Sequence, residues 1–275
     1  MGEDIKKLKE KLNKIIEENR QLRLKLNRNH SAGIKNNRAE IRDDKEYVTA
    51  LVPDDLRPVF LKAQYYVSHY FENKVEKPEK GTIDIHDERY ILVRAASMSK
   101  EFFETIYSHY QDRGKDDARR VATGFLFDLA HSLGKADAKS FHSKMKVTDP
   151  IEKLSAGPIH FAYTGWAFVK IYNESNPTPD ENYYLIYDHP FSFEADVWMK
   201  EKRKTDFPVC IMNSGYSSGW CEESFGIPLV SVELECRAKG DAHCRFIMAP
   251  PSKIESVDRS NGTNFFTLPI RFLTV

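Results

Sequence analysis

The chain has 275 residues, 41% apolar and 30% charged, and its 41 Lys and Arg balance its 41 Asp and Glu. A neutral chain lacks the basic excess of a dedicated nucleic-acid binder, and its apolar content is that of a globular protein, not a disordered one. No window approaches the ~18 apolar residues of a membrane span; the charged start MGEDIKKLKEKLNK has no apolar signal core, and four cysteines are too few for a disulfide framework, so the chain reads as cytoplasmic.

Ile5, Leu8, Leu12, Ile15, Asn19, Leu22 and Leu26 fall on the a and d positions of successive heptads, among residues that are almost all polar. The spacing predicts a short coiled coil over residues 1–26. An Asn at an a position pairs best with its own copy in register, which favours a parallel homodimer. The alternative is an amphipathic helix lying on its own domain. Three heptads are marginal alone, so a dimer needs a further contact. Residues 27–50 are polar and aperiodic and read as a linker or arm.

The body falls into a helical and hairpin part over 51–150 and a second part over 151–250. Pro53-Asp54-Asp55 opens a helix with Asp54 as its cap, and Phe60, Ala63, Tyr66, Val67 and Tyr70 share one face. Residues 81–97 read as a β-hairpin, with Ile83 and Ile85 in one arm, a solvated turn at His86-Asp87-Glu88, and Tyr90 to Val93 in the other. Helices follow over 99–112 and 117–145. The second is rich in Ala and Gly, which permits close packing; His131 and His142 on it read as ordinary helix histidines. Gly157-Pro158 reads as a break. Residues 159–172 and 183–188 read as strands, 191–202 and 216–225 as helices, and 228–236 with 243–248 as a hairpin. After Pro250-Pro251, residues 251–275 form a tail whose last apolar run predicts another strand. The class is α+β, with helices packed on an antiparallel sheet.

Three cysteines cluster with a carboxylate in this reading: Cys210, Glu233, Cys236 and Cys244. Glu233 and Cys236 are three apart, and Cys236 and Cys244 face each other across the hairpin. Three thiolates and a carboxylate would complete a zinc tetrahedron. The spacing alone leaves free structural cysteines and a disulfide open.

Residues 210–248 carry GYSSG, the Glu-x-x-Cys step, the Ala238-Lys239-Gly240-Asp241 turn and a closing Cys244-Arg245-Phe246. This segment resembles the 4-vinyl-reductase-type domain, a small-molecule-binding module. GTIDIHDERYILVRA, ARRVATGFLFDLAHSLGKADA, GPIH and FSFEA extend the similarity to roughly residues 80–250. They resemble the sensory half of bacterial activators that respond to phenol, xylene and related aromatics. The resemblance implies a structural zinc held by Cys210, Glu233, Cys236 and Cys244 beside a ligand pocket, with Cys221 a free thiol near it. It also implies that His160, in the Gly-Pro-x-His segment, binds a ligand hydroxyl. The family's second hydroxyl-binding residue is a Trp, and His189 stands at that position. Indole only donates, whereas neutral imidazole donates and accepts. Tyr187, Trp220 and Phe191 would supply aromatic walls.

The reading that follows is a sensory module that binds a small aromatic or hydrophobic molecule and signals through a dimer. Four protein ligands leave the metal no open position, so it would clamp and not catalyse. The sequence shows no Walker A, kinase or dinucleotide fingerprint, which leaves either a sensory fragment of a longer chain or a receptor acting through a partner. The resemblance also leaves open an accessory role in pigment-type reduction and a scaffold without a small ligand.

Overall fold

In the computed structural model of the chain, residues 48–200 and 204–254 are described. The coiled-coil positions Ile5, Leu8, Leu12, Ile15, Asn19, Leu22 and Leu26, most of the linker and most of the tail lie outside these residues.

The described residues form a five-stranded sheet and a three-stranded sheet with helices packed on them. The elements run β1 (Ala50–Leu51), α1 (Arg57–Glu72), β2 (Lys74–Lys77), β3 (Thr82–Ile85), β4 (Glu88–Tyr90), α2 (Ala95–Met98), α3 (Lys100–His109), α4 (Lys115–Met145) and α5 (Pro150–Thr164). They continue with β5 (Ala167–Ile171), β6 (Leu185–Ser192), α6 (Phe193–Met199), α7 (Ile211–Phe225), β7 (Val230–Glu235) and β8 (Arg245–Ala249). The larger sheet has the order β1-β5-β6-β8-β7 and is antiparallel except for the short β1–β5 pair. The smaller sheet is the meander β2-β3-β4. This is the α+β architecture the pattern predicts.

Several local readings change. Asp54 is not a cap: residues 53–56 form a turn closed on the Pro53 carbonyl, and the helix starts after Leu56 with Pro58 in its first positions. The hairpin's second arm ends at Tyr90, and Ile91 to Val93 are exposed outside it. Its turn is tight because His86 and Asp87 both take positive φ. His86 is not free in solvent, since its ring stacks on Tyr70 at 4.8 Å. Lys74–Lys77 adds a strand whose four exposed residues leave no apolar alternation to read.

The largest correction concerns residues 150–164. They form a helix, with Pro150 in its first turn and the Asp149 carboxylate accepting from the Ile151 and Glu152 amides. Such a cap satisfies donors that the first turn leaves open. Pro158 lies inside the helix and does not end it. Residues 154–161 are all buried, so no polar stripe marks the helical period, and a β-branched and aromatic run then reads as a strand. The strand is only Ala167–Ile171.

Helices α4 and α7 form the most extensive helix interface. Gly215 and Gly219 make it close: a Cβ there would lie 2.3 Å from the Phe127 carbonyl oxygen and 2.1 Å from that of His131. Helix α7 is thus seated hard on α4. Its other side meets α5 and the sheet, where the candidate site forms.

Candidate functional site

The sulfur cluster assembles from three elements. Cys210 occupies the N-cap position of α7. Glu233 lies in β7, where the pairing with β8 shifts between Glu233 and Glu235. Cys236 and Cys244 bracket the β7–β8 connection, which is held by the Cys236 amide donating to Asp241 Oδ2 at 2.8 Å and by a left-handed Gly240. One ligand atom from each of Cys210, Glu233, Cys236 and Cys244 lies within 4.8 Å of the others, and all four residues are buried.

All four cysteines of the chain are free thiols. Cys210 and Cys244 are 3.8 Å apart sulfur to sulfur. A tetrahedron with zinc–sulfur bonds of ~2.3 Å places its sulfurs about 3.8 Å apart. Burial pushes the Cys210 thiol and the Glu233 carboxyl well above their ordinary ranges, whereas hydrogen bonds from Cys210 and Cys244 pull Cys236 down. Glu233 Oε1 accepts no hydrogen bond, although Oε2 takes the Cys210 amide at 2.8 Å. Several acids that cannot all ionise together, with one open carboxylate oxygen, fit a divalent cation.

A cavity of about 30 Å³ lies between α5, α7 and the sheet. Its walls are apolar in the main, with Phe161, Val169, Ile171, Leu185 and Met248 among them. Tyr187, His189 and Trp220 also line it, as do Tyr216 and Cys221. Tyr187 hydroxyl pairs with Ser231 Oγ at 2.6 Å, and Trp220 Nε1 donates to the Lys153 carbonyl at 3.0 Å. His189 is different. It is 0% exposed, and neither ring nitrogen has a hydrogen-bond partner. Burial lowers its pKa to about 3, so the ring is neutral near pH 7. Its backbone N–H donates to the Cys244 carbonyl at 2.9 Å, which ties the cavity wall to the sulfur cluster.

His160 lies on α5 outside the cavity lining, in a block of rings that includes Phe71, Phe141 and Trp220. Its Nδ1 is 3.3 Å from the Tyr216 hydroxyl, which donates to Asp137 Oδ2 at 2.7 Å. With the phenolic proton given to Asp137, Nδ1–H of His160 must be the donor in that contact. His160 therefore reaches the cavity through Tyr216. Burial lowers its pKa to about 3. Phe191 is 67% exposed and forms no cavity wall. The sequence reading omits Tyr216 and Phe161. The Tyr of GYSSG is the available signal for Tyr216. Reading residues 159–172 as a strand hides the face that Phe161 presents.

Glu194 is fully buried, and its carboxylate accepts from the Met212 and Asn213 amides in the first turn of α7. Burial raises its pKa to about 8. It fixes α6 to the start of α7, next to Cys210. Among the described residues no helix is long and apolar enough to cross a membrane.

No protein-family model matches the chain. It is homologous to the phenol regulator MopR of Acinetobacter guillouiae, with 30% identity over 150 residues, which is 54% of this chain and 26% of that protein. It is also homologous to the transcriptional regulatory protein XylR of Pseudomonas putida, with 24% identity over 168 residues, 61% of this chain and 28% of that protein. The chain thus spans about a quarter of the length of these two relatives. It shares its fold with the phenol-responsive sensory domain of the transcription activator PoxR, crystallised with phenol. The TM-score is 0.56 at 22% identity, covering 72% of this chain and 91% of that one.

Proposed function

We propose that this chain is the sensory part of a regulator: it binds a small, neutral aromatic molecule in the α5–α7–sheet cavity, beside a structural zinc held by Cys210, Glu233, Cys236 and Cys244. The observation that carries the reading is His189, a buried neutral imidazole with two unpartnered nitrogens in an otherwise apolar cavity. Ligand pockets are mostly apolar with a few placed polar groups, and an unmade buried hydrogen bond is costly unless a ligand makes it. Tyr187 and Trp220 are the aromatic walls, and His160 acts through Tyr216. The homology to a phenol regulator supports the same ligand class.

The zinc, when bound, supplies charge compensation and cross-links; the chain's own residues do the rest. Neutral residues line the cavity, which disfavours a carboxylate ligand lacking a partner charge. At about 30 Å³ the cavity exceeds the ~10–15 Å³ that one water needs, but an aromatic ring requires its walls to separate. Binding then favours a form with α5, α7 and sheet further apart, which is how a ligand shifts a conformational equilibrium. The output, whether a domain of the same chain or a partner protein, would respond to that shift in a dimer. Calorimetric titration with phenol and with benzoate tests the reading. Phenol binding with benzoate silent is expected; no heat from phenol, with the metal in place, overturns it.

A further inference from the structure

Strand β6 carries His189 into the cavity and, three residues on, ends at Ser192 beside the sulfur cluster. Ser192 is 0% exposed. Its Oγ accepts from Asn213 Nδ2 at 2.8 Å and from the Ala195 amide at 3.4 Å. A hydroxyl has two lone pairs and one proton. Both lone pairs are occupied, so the proton is left for the one remaining neighbour, Cys210 Sγ at 3.2 Å. The other sulfurs have donors of their own: Cys244 Sγ accepts from the Arg237 amide at 3.5 Å, within the hairpin that bears Cys236 and Cys244. Ser192 is thus a side-chain donor to the cluster from the cavity strand.

We propose that Ser192, aimed by Asn213, is a positioning residue of the metal centre. Its hydroxyl fixes Cys210 and locks the centre to β6. This rests on the metal reading above. Together with the His189 amide on the Cys244 carbonyl, it makes two ties between the centre and one strand. Outer hydrogen bonds of this kind hold ligands in their binding geometry, and losing one typically costs about 10- to 100-fold in metal affinity.

The test is the cobalt(II)-substituted full chain, compared with Ser192→Ala and Ser192→Thr. Removal of the O–H···S bond in Ser192→Ala should move the sulfur-to-cobalt charge-transfer band. It should also speed metal release to EDTA about 10- to 100-fold, and Ser192→Thr, which keeps the hydroxyl, should restore both. If Ser192→Ala does not fold, Asn213→Ala replaces it and should move the band in the same direction by less. An unchanged band and release rate in a folded Ser192→Ala or Asn213→Ala protein overturns the proposal. Phenol titration of the same samples keeps the two readings apart. Phenol failing to bind wild type sinks the sensing function while the cobalt band still judges Ser192. Wild type that takes up no cobalt removes the metal centre and Ser192's role together.

Discussion

The sulfur cluster and the cavity meet along α7, and β6 touches both through Ser192 and His189, yet they handle buried polar groups in opposite ways. In the cluster the acids and donors face one another: Cys210 touches Cys244, Ser192 and, through its amide, Glu233. In the cavity Tyr187 is paired with Ser231, but His189 has two open nitrogens. One site is closed and internally cross-linked apart from a single carboxylate oxygen. The other keeps an unmet hydrogen-bonding demand in its wall. The contrast separates a cluster whose polar groups mostly meet one another from a cavity that leaves a buried imidazole unpartnered.

The largest effect that would sharpen this contrast is expected at the cluster. Cys236→Ser removes a thiolate from the centre of the ligand set. A structural site couples metal affinity to folding, so the variant should lose metal and about 4 kcal/mol of stability, roughly 10 °C in Tm at this chain length. Metal content by mass spectrometry and a thermal melt read both. A variant with full metal and an unchanged melt would show that the cluster does not hold the fold.

A smaller effect should strike both regions together, because α7 serves both. Gly219→Ala forces a Cβ to 2.1 Å from the His131 carbonyl and 2.8 Å from the Lys135 amide. Neither backbone atom can yield cheaply, and overpacking of this kind costs about 1–3 kcal/mol. Displacement of α7 moves Cys210 at its start and Trp220 at the cavity, so metal retention and phenol affinity should fall in parallel. Gly124→Ala is the control on the partner helix. Nothing lies within 4 Å of its added Cβ, and the change should stabilise by up to about 1 kcal/mol through helix propensity. Loss of only one activity in Gly219→Ala would mean that the two regions move independently.

How much of this is legible in the sequence follows from the same physics. The cluster is readable in part, because Glu233, Cys236 and Cys244 span one hairpin and thiols are rare, but the spacing alone leaves free cysteines and a disulfide open, and a metal site that includes Cys210 comes from the resemblance. The α+β class and most elements after residue 183 are readable from alternation and turn residues. Helix α5 is not, because burial on every side erases the polar stripe, and that error puts His160 and Phe161 on a strand. The cavity is assembled from α5, α7 and three strands, so its lining is a property of long-range packing. His189 comes from a resemblance, and its lack of partners can only be seen in three dimensions.

The smallest effect is the most diagnostic, and it lies at His189. His189→Leu replaces a buried imidazole with an apolar group of similar size and keeps the backbone bond to the Cys244 carbonyl. Replacing an unsatisfied polar group by an apolar one is neutral or stabilising, by about 1 kcal/mol here. The same change removes the hydrogen bond offered to the ligand, and a bond of this kind contributes about 1 kcal/mol, so phenol should bind roughly 5- to 10-fold more weakly. Stability and affinity should therefore move in opposite directions in one variant, measured by urea unfolding and by titration. A Leu variant that is less stable than wild type would mean that the imidazole is already satisfied in the free protein, by bound water. Binding would then be an exchange of water for ligand, and the cavity would resemble the cluster in meeting its own polar demand.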